Sequence, residues 1–146
     1  CSMAWDFFAH TRTLELLYHK MQAPVLEEYH LTQIELDVLL FLSHHPQQDT
    51  AKDIVEIRRL TKSHVSAAVE GLVQRQYLQR LRRPDNKKLI HLVLLPDAMP
   101  AVQAGQARQR EFFQTLKKGF EPQEVQVLNA MLKRMGDNAK EAYAQL

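Results

Sequence analysis

The chain has 146 residues, 45% of them hydrophobic and 25% charged, with 4 Gly, 6 Pro and a single Cys. That length suits one domain able to bury a core, and the composition excludes a disordered, collagen-like or disulfide-stapled chain. The longest apolar runs, Leu36 to Leu42 and Leu89 to Leu95, are far short of the roughly 20 residues a membrane helix needs, and neither stands where a signal peptide would. A cytoplasmic protein with no membrane partner is expected. Cys1, ahead of Ser2-Met3, reads as a terminal remnant before a natural start at Met3, and no redox role is built on it.

The net charge of +2 hides an uneven distribution. Between Arg58 and Lys88 lie nine basic residues (Arg58, Arg59, Lys62, Arg75, Arg80, Arg82, Arg83, Lys87, Lys88) against two acidic ones (Glu70, Asp85), a net of +7. The other ten basic and fifteen acidic residues leave −5 on the rest. One electropositive stretch, about a fifth of the chain, on an acidic body is the footprint of a protein that meets a polyanion with one face.

Trp5 to Met21 reads as a helix with apolar residues all round: Phe7, Phe8, Leu14, Leu16, Leu17, Tyr18 and Met21. Burial on more than one side follows, and one chain alone is short of surface to provide it. Pro24 interrupts the pattern, leaving Val25 to Leu31 as a transition segment. Thr32-Gln-Ile-Glu35 is a capping box, so a core helix starts there with Ile34, Leu36, Val38, Leu39, Leu40 and Leu42, and His44-His45-Pro46 closes it. Thr50, with Asp53 three residues on, caps a short helix from Ala51 to Arg58.

A longer helix, about Lys62 to Gln76 with Thr61 as cap, places Val65, Ala68, Val69 and Leu72 on one side and Ser63, Ser66, Ala67, Glu70 and Gln74 on the other. Short helix, tight turn and amphipathic helix make a helix-turn-helix. Tyr77 to Arg83 and Leu89 to Leu95 then read as strands around Pro84-Asp-Asn-Lys-Lys88, a turn sequence with a basic tip. A hairpin in that place is a wing. Pro96, Asp97 and Pro100 mark a new helix start; Met99 to Lys118 is helical, burying Val102, Phe112, Phe113 and Leu116, and Gly119 ends it. From Pro122, the residues Val125, Leu128, Leu132, Met135, Ala139 and Tyr143 alternate at three and four, a seam that wants a partner helix.

This order resembles the MarR family of bacterial regulators over nearly the whole chain. The likeness is carried by Leu31-Thr-Gln-Ile-Glu-Leu-Asp-Val-Leu-Leu40, by Thr50-Ala-Lys-Asp-Ile54, by Leu60 to Leu72 and by Arg80 to Leu94, specific together rather than singly. It departs in two places. Asp85-Asn86-Lys87 carries Lys where the family's wing usually has Arg, and Leu94-Leu95-Pro96 with Asp97-Ala98-Met99-Pro100 replaces the usual Leu-Thr and later Gly after the last strand. Lys keeps the charge but not the planar fork suited to a narrow minor groove, which weakens sequence preference from the wing and not phosphate affinity.

The expected fold is therefore mainly α with a small β-hairpin wing. Residues 32–95 form the winged-helix DNA-binding region, and 4–30 with 97–146 form helical dimerisation regions. The resemblance implies a transcriptional regulator, a repressor, that binds a palindromic operator on double-stranded DNA as a homodimer, with a small-molecule effector of unnamed identity. Candidate DNA-binding residues are Thr61, Lys62, Ser63, His64, Ser66, Ala67 and Gln74 on the second reading-head helix, and Arg80, Arg82, Arg83, Asn86, Lys87 and Lys88 on the wing. Small residues and serines near the start of a recognition helix allow close approach and bonding to base edges, while the wing cations meet phosphate and minor groove. Glu70 is given no firm role.

No catalytic residues and no cofactor are expected: the chain carries no glycine-rich phosphate loop, no nucleophile elbow and no consequential Cys-His pairing. Its seven His lack the four-residue helical spacing of a clear metal site, so no metal is expected either. The rival reading is a winged helix used as a protein-binding module, which would keep the fold and lose the logic of the charge.

Overall fold

The computed structural model describes residues 2–146, and Cys1 lies outside them. In chain order the elements are α1 (Ser2–Tyr29), α2 (Gln33–His44), α3 (Ala51–Arg58), α4 (Lys62–Gln74), β1 (Leu78–Arg83), β2 (Asn86–Leu94), a single 3₁₀ turn (Pro96–Ala98), α5 (Met99–Leu116) and α6 (Pro122–Ala144). They divide into two compact units, residues 1–112 and 113–146.

In the first unit α2 is the centre. Leu36, Val38, Leu39, Leu40, Phe41 and Leu42 are all buried, because α1, α4 and β2 pack around the helix. Its start is fixed as expected: Thr32 Oγ1 accepts from the Glu35 amide at 3.2 Å and the Glu35 carboxylate accepts from the Thr32 amide at 2.8 Å. The same reciprocal pair forms between Thr50 and Asp53 at the start of α3. Gly105 of α5 allows close approach to α2, since a Cβ there would stand 3.1 Å from methyl carbons of both Leu36 and Leu40.

Pro24 does not interrupt α1, which runs unbroken to Tyr29. The helix end is instead set by His30 in the left-handed region (φ 53°) and by the Leu31 amide donating to the Leu26 carbonyl at 2.9 Å. Val25 is buried and Leu26 and Tyr29 pack on the core, so apolar burial beyond the proline outweighs its missing amide. Other boundaries move less. α4 ends at Gln74 and α5 at Leu116, two residues short of expectation, and β2 starts at Asn86 rather than Leu89.

The first half of α1 keeps its large apolar residues in solvent. Trp5 is 76% exposed and Phe8 63%, with Phe7, Leu14 and Leu16 also exposed, so the burial expected for this helix is not supplied within the chain. In the second unit, α6 has no buried residue; Leu128, Met131, Leu132 and Met135 lie open, Leu132 at 55%. Phe113, expected to be buried, is exposed, whereas Val102 and Phe112 are buried as expected and Leu116 is half-buried.

Asp37 is a carboxylate held inside this core, 3.0 Å from Gln33 Nε2 and 3.8 Å from Arg58. Burial raises its pKa above the usual carboxylate value, against the lowering effects of the Gln33 hydrogen bond and the Arg58 charge. A folded-state pKa above the unfolded one means the folded chain binds the extra proton, so this group's contribution to stability falls as pH rises through the carboxylate range. Asp37→Asn should therefore melt higher at pH 7, by ~2–4 °C if the gain is near 1 kcal/mol, and the advantage should vanish in acid. Melting curves of both proteins between pH 3 and 7 check this; a variant that melts lower at every pH would refute it.

Candidate nucleic-acid interface

The reading head is built from α3, the turn Arg59 to Thr61, and α4. The turn is closed by Arg59 in the left-handed region (φ 56°), a backbone state that costs an ordinary residue roughly 1 kcal/mol. Thr61 occupies the cap position of α4 without a side-chain capping hydrogen bond, so its hydroxyl is not committed to the helix start as expected of a cap. α4 is oriented by its buried stripe, Val65, Ala68, Val69 and Leu72, which packs on α2 and α3. The opposite stripe is solvent-facing: Thr61, Lys62, Ser63, His64, Ser66, Ala67, Glu70 and Gln74 are exposed.

The wing is an antiparallel pair with Leu78 opposite Leu94, Arg80 opposite Leu92 and Leu81 opposite His91, and its register slips between Leu81 and Arg83. Its turn is tighter than expected. Only Pro84 and Asp85 lie between the strands, and Asn86, Lys87 and Lys88 belong to β2, with the Asn86 side-chain oxygen accepting from the Lys88 amide at 3.1 Å. The root is pinned by Leu78 and Leu92 in the core and by two bonds to Asp49: the Leu92 amide donates to its carbonyl at 2.8 Å, and His91 Nδ1 donates to its carboxylate at 2.6 Å. Arg80, Arg82, Arg83, Asn86, Lys87 and Lys88 are all exposed.

A surface ion pair joins the two parts. Arg80 Nη2 of β1 reaches Glu70 Oε2 on the exposed face of α4 at 2.7 Å, so the wing root and the reading stripe share a side of the unit. Gln74 Nε2 donates to the other oxygen of Glu70 at 3.2 Å. The Arg80 bond first, then Gln74, holds the Glu70 carboxyl below the usual carboxylate range.

The nine cations of the basic block are not equivalent. Arg75 donates to the carbonyls of Tyr29 at 2.6 Å and His30 at 2.7 Å and lies 4.6 Å over the Tyr77 ring, so it secures the end of α1. Arg58 faces Asp37. Lys62, Arg82, Arg83, Lys87 and Lys88 are exposed and form no ion pair among the described residues. Charge counting along the sequence cannot separate these groups, because the partners of Arg75 lie 45 and 46 residues away.

A second polar cluster links α1, α2 and α5 within the first unit. Gln22 is fully buried; its Nε2 donates to the Tyr18 hydroxyl at 2.9 Å, and Gln109 Nε2 donates to the same hydroxyl at 3.0 Å. Gln109 Oε1 lies 3.3 Å from His44 Nε2, and Gln22 Oε1 has no partner among the described residues. No sequence pattern announces this cluster, since its members stand apart in the chain. Among the described residues no group of three or more His, Cys, Asp or Glu could hold a metal ion, and no helix is long and apolar enough to cross a membrane.

A helix-turn-helix followed by an antiparallel flap on the same side is a winged helix-turn-helix protein. Residues 30–88, the reading head and most of the wing, match the MarR family model. Solved structures agree over most of the chain. A MarR-family transcriptional regulator from Silicibacter pomeroyi superposes with TM-score 0.76 at 18% identity, covering 88% of this chain and 86% of the other. MepR of Staphylococcus aureus, solved as a DNA complex, gives 0.70 at 20% identity over 88% and 95%. MarR of Staphylococcus aureus, solved with salicylate and kanamycin, gives 0.75 at 16% identity over 96% and 94%. No curated protein matches the sequence. Residues 30–88 are thus similar to the MarR family, and the chain as a whole shares the fold of these solved structures.

Proposed function

We propose that the chain is a cytoplasmic, sequence-specific transcriptional repressor that binds a palindromic operator on double-stranded DNA as a homodimer and is released by a small-molecule effector. The observation that carries this reading is the 2.7 Å contact between Arg80 of the wing root and Glu70 of α4, beside exposed Ser63, Ser66 and Ala67. It leaves small polar residues available to base edges and Lys62, Arg82, Arg83, Lys87 and Lys88 available to phosphate. The DNA complex of the MepR neighbour supports the same use of the fold.

Residues 4–30 and 97–146 supply the pairing surfaces in this reading. The support is the exposed apolar stretch of α1 around Trp5 and Phe8 and, separately, the open seam of α6 around Leu132 and Met135. Isologous pairing would set two α4 helices about 34 Å apart, one turn of B-DNA. For the effector, the support is the buried Gln22 amide with an unmet acceptor beside Tyr18 and Gln109, together with the salicylate held by the MarR neighbour.

Fluorescence anisotropy with a labelled random duplex at low salt tests the reading. Saturable binding that weakens with added salt is expected; no binding at low salt would favour a winged helix that binds protein.

A further inference from the structure

The exposed stripe of α4 carries one acidic residue, Glu70, among Ser63, Ser66, Ala67 and Gln74. A carboxylate on a surface that faces phosphate is electrostatically unwelcome, and this one is fully engaged by the protein itself. Oε2 accepts from Arg80 at 2.7 Å and Oε1 accepts from Gln74 at 3.2 Å. Both partners are themselves candidate DNA-binding residues. The pair is solvent-exposed, and exposed ion pairs contribute little to folding. Its consequence lies in what it withholds: a guanidinium that would otherwise fork onto a phosphate, and an amide that would otherwise probe a base edge.

We propose that Glu70 sets DNA specificity by holding Arg80 and Gln74 on the reading helix, so that arbitrary duplex is bound less tightly than the free cations of the wing would allow. The role assigned to Glu70 rests on the DNA-binding reading and names the residue that tunes it. Binding to arbitrary sequence depends on how many cations reach phosphate. Glu70 removes one such cation from each protomer and adds a like charge facing the backbone. Lys62, Ser63 and Ser66 at the start of α4 are left free to meet DNA, so discrimination between sites widens.

The test compares the wild type, Glu70→Gln, Arg80→Ala and the double variant, each against a random duplex and against a duplex selected for tight binding from a random pool. Salt is varied from 50 to 200 mM, and melting curves confirm that all four fold. Glu70→Gln is expected to tighten random-duplex binding several-fold more than selected-duplex binding. It should also steepen the log–log salt slope by about 0.9 for each further phosphate neutralised. Arg80→Ala in the Glu70→Gln background should return the slope to its starting value. Unchanged slope and unchanged ratio would overturn the proposal. Loss of selected-duplex binding alone would also overturn it, making Glu70 a reader of a base instead. A wild type that binds neither duplex at 50 mM would refute the DNA-binding reading itself, and the role of Glu70 with it.

Discussion

Affinity for duplex DNA is expected to fall on the order of 10³–10⁵-fold between 50 and 200 mM salt, the drop that follows when about 6–10 phosphates are neutralised. Each protomer offers five exposed cations without an ion pair among the described residues, namely Lys62, Arg82, Arg83, Lys87 and Lys88, so a pair of chains brings enough to reach the upper end of that range. Replacing Lys87 and Lys88 with Ala should flatten the salt slope by up to about 0.9 for each phosphate no longer neutralised, and should weaken all sequences alike. Arg75→Ala is the internal control. Its guanidinium is engaged on the carbonyls of Tyr29 and His30, so the substitution should lower thermal stability and leave the slope unchanged. Equal slopes for the wild type and the Lys87/Lys88 variant, measured by anisotropy, would remove the wing from the interface.

The second large effect concerns pairing. Leu132→Asp combined with Met135→Asp places two charges on the open seam of α6, a helix with no buried residue, so the substitutions remove no buried side chain. If that seam is the pairing surface, the variant should sediment as a 17.0 kDa monomer where the wild type sediments at twice that mass. Operator affinity should drop by roughly 10²–10⁴, the gain that linking two binding modules provides. A wild type that is monomeric at micromolar concentration, or a variant that remains dimeric, would contradict this use of α6.

Much of the reading head was legible because its signals are local. Thr32 with Glu35 and Thr50 with Asp53 announce two helix starts, and both pairs form the reciprocal hydrogen bonds expected. The buried stripe of α4 was equally readable, since 100° per residue decides which of its residues face the core. Failures occur where distant parts of the chain decide. Pro24 is a helix breaker by local chemistry, yet burial of Val25 carries α1 past it. Pro84-Asp-Asn-Lys-Lys88 has turn chemistry throughout, yet strand pairing claims everything after Asp85.

The candidate site divides in the same manner. That Lys62, Ser63, Ser66 and Ala67 face outward follows from helical periodicity, and that the wing is basic follows from composition. The engagement of Arg75 with α1, the Asp49 anchor of the wing at His91, and the hold of Glu70 on Arg80 follow from neither. Each joins residues brought together only by the folded chain.

The most direct test is selection of tightly bound duplexes from a random pool by the purified wild-type chain. Inverted half-sites whose centres lie about 10 bp apart, one helical turn, are expected, each reading through the start of α4. Enrichment of no sequence, or of a single half-site without its inverted mate, would contradict a symmetric DNA-reading regulator.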